Sequence, residues 1–175
     1  MQPLLLIQFH LLIKTKLKLY SFFHLNLMYS SIEEASRREV IKKCYWPLFK
    51  LADMGIPIGI EAPGITLETI QEIDPKWIES LTNYIDDGKI EFIGSGFVQL
   101  ISAIVPYQVN CKNIEIGMQI YQDILGLVPR YMLVNEMAYS RSIVDIMLKY
   151  EFQGVIIEKN NVEYACQDSI KNPDN

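Results

Sequence analysis

The chain has 175 residues and a formal net charge of −5; half of its residues are hydrophobic and 21% are charged. That length suits one domain with a sizeable core, and the composition excludes disorder. An acidic balance without long basic runs also excludes a nucleic-acid-binding surface. The three cysteines, Cys44, Cys111 and Cys166, lie far apart, and the only histidines are His10 and His24. This pattern predicts free thiols in a reducing cytoplasm, no disulfide framework, and neither a multi-histidine metal centre nor another bound cofactor.

The first element, "MQPLLLIQFHLLIK", is apolar but too short to cross a bilayer, and no basic residue precedes it. Residues 1–15 are therefore expected to form an irregular leader, with no membrane as partner. "LKLYSFFHLNL" reads as a strand running to His24. A helix follows to Gly55, opened by Ser30 and Glu33 in capping-box spacing and kinked at Pro47. Ile56 to Ile60 is the second strand, with Glu61 at its exit, and Thr66 to Ile73 a short helix. Asp74 and Pro75 then start a helix that stops at Gly88. "KIEFIGSGF" is the third strand, and its loop reaches Pro106. Asn110 caps a helix through Leu125; "RYMLVNE" is the fourth strand; Arg141 to Tyr150 is helical; "GVIIEKN" is the fifth strand. Residues 161–175 read as a polar tail.

Apolar strands alternating with helices imply an α/β domain over residues 16–160, built on a parallel sheet covered on both faces. Periodicity alone leaves two arrangements open, a doubly wound sheet or part of a barrel. In either one the working groups gather at the carboxyl ends of the strands. Those exits carry His24 and Asn26, then Glu61, then Ser95 and Gln99, then Asn135 and Glu136, then Glu158. Each residue also has a plain structural reading. His24 suits a hydrogen-bonded core histidine, Glu61 and Glu136 suit acids placed ahead of helices, Ser95 and Gln99 suit caps for loop amides, and Glu158 suits a solvated loop.

Four segments in order, "FHLNLMYSSIEE", "GIEAPGITLE", "KIEFIGSGFVQLISAIVP" and "YMLVNEMAYS", resemble the N-terminal catalytic domain of glycoside hydrolase family 57. The resemblance implies the first five strands of an incomplete (β/α)7 barrel of the glycoside hydrolase and deacetylase type. It further implies retaining hydrolysis or transfer of α-glucans, with Glu136 as nucleophile. His24, Asn26, Glu61, Gln99, Asn135 and Tyr139 would then bind substrate, with Tyr29 a second candidate for stacking on sugar. The first motif departs from the family's His-Gln-Pro as His24-Leu25-Asn26, and Gln99 stands where the family usually has a histidine. The family's general acid/base is an aspartate from the last barrel strand, and no segment after Glu136 corresponds to it. This predicts a truncated barrel without turnover of its own, with open edges that favour self-association. The alternatives are a non-catalytic glucan-binding remnant and a polysaccharide deacetylase-like protein, the latter needing paired aspartates and several histidines.

Overall fold

The computed structural model describes residues 7–10, 16–19 and 21–166. Much of the expected leader and the end of the expected tail lie outside these. Within the leader, β1 (Ile7–His10) pairs antiparallel with β2 (Lys16–Leu19) in a separate two-stranded sheet. The first predicted strand is thus two elements, because only β3 (Phe22–His24) joins the main sheet.

The expected long helix from Ser30 begins later, with a 3-10 turn at Glu34–Ser36 whose N-cap, Glu33, makes no side-chain capping bond. It continues through α1 (Arg37–Val40), a π-helical turn over Ile41–Tyr45, and α2 (Trp46–Asp53). The kink expected at Pro47 takes this form. Proline cannot donate to the carbonyl one turn back, and the helix accommodates the lost bond by widening.

Next come β4 (Ile58–Glu61), α3 (Gly64–Ile73) and α4 (Pro75–Asp86). Asp74 stands at the N-cap of α4, but its carboxylate accepts from the Trp46 indole at 2.8 Å rather than capping the helix. β5 (Ile90–Gly94), α5 (Tyr107–Leu125), β6 (Tyr131–Leu133), α6 (Arg141–Lys149) and β7 (Gly154–Ile156) follow. α7 (Lys159–Cys166) then runs into the region read as a polar tail. All three cysteines are free. No helix among the described residues is long and apolar enough to cross a membrane.

β3 to β7 form one parallel sheet in sequential order. A doubly wound sheet reverses direction at a switch point, whereas here every crossover steps to the next strand on the same side, as in barrels. Side chains alternate across the strands, so register assigns each residue to a face. One set, including Phe23, Ile58, Ile60 and Phe92, joins the apolar cluster formed with α2 to α5. Met132, Val134 and Val155 continue that face into a second cluster with Ile114 of α5 and with Ile143 and Ile146 of α6. His24, Glu61, Ile93 and Leu133 point the other way and belong to neither cluster. The helices therefore pack on one face rather than on both, which leaves the opposite face to carry the polar exits.

α5 clamps the strand exits in place. The fully buried Tyr121 hydroxyl accepts from the Ser95 and Gly96 amides at 3.1 and 3.2 Å. It lies 2.8 Å from the Gly96 carbonyl and 3.1 Å from that of Ala62, so its one proton is directed at acceptors from both β4 and β5 exits. About two turns earlier along α5, Asn113 accepts from the Val98 amide at 2.9 Å and donates to the Val98 carbonyl at 3.0 Å. The main-chain carbonyl of Asn113 receives the Phe97 amide at 2.9 Å. Asn110, expected to cap this helix, instead sits inside it and donates to the Ser102 carbonyl at 2.9 Å, holding the far end of the loop. Such close approach requires glycine at two places. A Cβ on Gly117 would fall 2.4 Å from the Gly96 carbonyl carbon, and Gly96 itself has φ +99°.

Two substitutions and a control test this clamp. Gly117→Ala should lower the unfolding free energy by about 2–3 kcal/mol in urea titrations, because the new methyl meets backbone rather than a flexible side chain. Gly88→Ala, at a positive φ but with open space around it, should cost only about 1 kcal/mol. Tyr121→Phe should cost about 1–3 kcal/mol through the buried amides and carbonyls it strands, with hydrogen-exchange protection lost first at Ser95 and Gly96. Unchanged protection there would show that the hydroxyl is dispensable to the loop.

Candidate functional site

The site starts from a buried acid. In the parallel ladder His24 lies beside Glu61, and the Leu25 amide continues the ladder to the Glu61 carbonyl at 2.8 Å. Glu61 has no exposed surface. A carboxylate so placed needs partners, and the first is the His24 ring, whose Nδ1 bonds Glu61 Oε2. The other oxygen, Oε1, has no hydrogen-bond partner among the described residues.

The hydrogen bond to Glu61 holds the basicity of His24 above that of a free imidazole. Partial burial of the ring opposes this shift, and the negative charges of Glu61 and Glu136 add to it. Folded His24 thus binds its proton more tightly than in the unfolded chain. The stabilisation this brings is complete below the unfolded pKa and is lost as pH rises through the higher folded value.

Two further predicted residues join the pair. Gln99, next to Val98 in the clamped loop, places its amide nitrogen 2.7 Å from His24 Nε2. Asn26 donates to Gln99 Oε1 at 2.6 Å and accepts the Met28 amide at 2.9 Å. Asn26, Gln99, His24 and Glu61 therefore form one connected row across the exits of β3, β4 and β5. The capping role considered for Gln99 is not what it does, since its side chain bonds His24 and Asn26.

Glu136 approaches from β6. The strand ends at Leu133, and Asn135–Met137 form a single 3-10 turn. Within it Glu136 has φ 55° and ψ 15°, and Met137 has φ 51°. Two successive non-glycine residues in left-handed backbone cost about 1–3 kcal/mol each. The turn is held by Met137 N–H to the Val134 carbonyl at 3.0 Å, and by Asn161, which donates to the Met137 carbonyl at 2.8 Å. The Glu136 side chain is exposed, while its neighbour Asn135 is buried with Oδ1 unpartnered. The N-cap of α6 is Ser140, so Glu136 stands outside the first turn of that helix and is not a helix-start acid.

Other candidates lie apart. Tyr139 is directed to the Cys166 thiol, whose hydrogen bond raises the phenol's pKa, and it lines a groove with Arg141 and Val144 between α6 and α7. Glu158 and Tyr29 are exposed. The Ser95 side chain is buried with its Oγ unpartnered, like Glu61 Oε1 and Asn135 Oδ1. Among the described residues no three His, Cys, Asp or Glu side chains converge as a metal site would require. A cavity of about 550 Å³ lined by Asp86, Lys89, Glu91 and Arg130 lies at the opposite end of the strands, away from these groups.

Sequence reasoning missed Tyr121, Asn113 and Gly117. The available signal was polar and glycine residues at helical spacing on one face of α5, at 110, 113 and 117, where an ordinary core helix would be apolar.

The comparisons agree with this architecture. The model of glycosyl hydrolase family 57 matches residues 10–172. An α-amylase of Pyrococcus furiosus is 22% identical over 122 residues, covering 69% of this chain and 19% of the amylase. The 4-α-glucanotransferase of Thermococcus litoralis has a similar fold, with a TM-score of 0.69 at 19% identity over 80% of this chain and 22% of that one. The GH57-type branching enzyme of Pyrococcus horikoshii gives 0.67 at 13% identity over 87% and 43%. The chain thus spans about a fifth of the length of the amylase and of the glucanotransferase. A family match along nearly the whole chain, together with five sequential parallel strands and polar exits gathered on one face, means that the chain belongs to glycosyl hydrolase family 57.

Proposed function

We propose that this chain is a carbohydrate-active domain acting on α-glucans, with Glu136 as the nucleophile of a retaining reaction. The observation that carries this reading is the setting of Glu136: an exposed carboxylate in a strained turn, within electrostatic reach of His24 at a rigid strand exit. Strain of this kind collects where a side chain must be aimed.

In a retaining reaction Glu136 attacks the anomeric carbon as the bond to the leaving oxygen breaks, and water or a second sugar later displaces the resulting ester. The negative charge of Glu136 helps to hold the proton on His24. Asn26 and Gln99 offer amide groups to sugar hydroxyls. Asn135 is buried, its unpartnered carbonyl oxygen included, and is assigned no contact with sugar. Glu61 acts through His24. It is fully buried and already bonded on one oxygen, which disqualifies it as the acid that meets the leaving oxygen. Leaving-group protonation is assigned to none of the carboxylates at these strand exits. Tyr139 lies with Cys166, and we assign it no part in the chemical step.

An aryl fluoroglycoside tests the assignment, since its leaving group needs no acid. Incubation followed by mass spectrometry of peptides should show a glycosyl adduct on Glu136, absent in Glu136→Gln. In an enzyme containing this domain with its downstream barrel strands, Glu136→Gln should lower kcat by about 10³-fold or more while glucan affinity changes less than about threefold. An adduct on another residue would overturn the assignment. Retained glucan binding with no adduct would favour a non-catalytic binding domain.

A further inference from the structure

The row of side chains at the strand exits has a direction, set by its first member. The Met28 amide can only donate, and it donates to Asn26 Oδ1 at 2.9 Å. Asn26 is thereby oriented with its NH₂ toward Gln99, where it meets Oε1 at 2.6 Å. Gln99 in turn has only its NH₂ left for His24, at 2.7 Å from Nε2. A nitrogen that receives a hydrogen bond carries a lone pair, so the ring proton sits on Nδ1 and points to Glu61 Oε2.

We propose that Asn26 and Gln99 are positioning residues that hold His24 as its Nδ1–H tautomer, and that protonation at Nε2 releases Gln99 from the ring. The imidazolium has a proton on each nitrogen, and an amide NH₂ cannot accept it. Gln99 then either turns its Oε1 to His24 and abandons Asn26, or leaves the ring and frees an Nε2–H donor. Asn26 cannot follow by turning over, because the Met28 amide would lose its acceptor. The charged groups facing His24 are Glu61 on β4 and Glu136 in the turn after β6, and both favour the proton. Gln99, on the loop after β5, opposes them. The site therefore has a closed neutral state and an open cationic state, with the amide of Gln99 as the moving part. This inference concerns the protonation of His24 and stands whether or not Glu136 is a nucleophile.

Nitrogen NMR reads it directly, since the chain has only two histidines and a His10→Gln variant leaves His24 alone. Above the pKa, ¹⁵N shifts should show Nδ1 protonated and Nε2 bare. Gln99→Leu removes the opposing donor without adding charge, and should raise the His24 pKa by about half a unit or more, about threefold in proton affinity. Asn26→Leu frees Gln99 to turn its oxygen toward the ring and should raise the pKa by a similar amount. Asn26→Leu combined with Gln99→Leu should add nothing beyond Gln99→Leu alone, because the first acts through the second. An Nε2–H tautomer in the otherwise wild-type protein would overturn the proposal without any further variant. Unchanged pKa values in both single variants, or additive shifts in the double, would also overturn it. Gln99 is exposed and Asn26 half-buried, so neither change removes a core contact.

Discussion

A carboxylate with no exposed surface is the constraint around which this end of the molecule is organised. Glu61 ends an interior strand, and its desolvation is offset only if a donor is supplied at once and in register. The parallel pairing of β3 with β4 supplies it, because the same ladder that aligns Phe23 with Ile60 brings His24 beside Glu61. His24 then needs a partner for its second nitrogen, which brings in Gln99 and, behind it, Asn26. The polar row follows from one buried acid and one strand register. Its members come from three different strand exits, so the row also holds those exits together.

The second dependence runs through α5. A long loop that ended freely in solvent would not hold an amide 2.7 Å from an imidazole. The loop after β5 is instead bonded to the helix that follows it, through Tyr121 at its root and Asn113 and Asn110 further out. These contacts satisfy backbone groups that would otherwise be buried without partners. Gly96 and Gly117 permit the backbones to approach closely enough for this. The site is carried by rigid secondary structure even though several of its residues lie in loops.

The sequence made some of this plain. Strand order and type followed from apolar runs between helical stretches, and the exits followed from where polar residues interrupted those runs. His24, Glu61 and Gln99 were visible as exit residues; register brings the first two together, and the fold of the loop after β5 brings Gln99 to them. The one-sided covering of the sheet was not legible, since β4 reads IGIE and is apolar or small until its last residue, whichever face it presents. Nor was the split of the first strand, because "LKLYSFFHL" offers no break in hydropathy where Lys16–Leu19 leaves one sheet and Phe22–His24 enters another. The roles of Asp74 and Asn110 were misread for a shared reason. Both have side chains suited to capping, and both found a tertiary partner instead.

The left-handed turn at Glu136 and Met137 bears on how this chain would drift. Glu151 also has a positive φ, but it follows the end of α6, where helices commonly terminate in that conformation. Glu136 and Met137 have no such excuse. Glycine at either position would adopt the same backbone without the Cβ clash and would gain about 1 kcal/mol of folding free energy. Any other side chain carries the same Cβ into that backbone, so for folding alone only glycine relieves the strain. Glutamate at 136 and methionine at 137 are thus both residues that glycine would outdo for folding, and the turn keeps its shape at a cost borne by the rest of the fold.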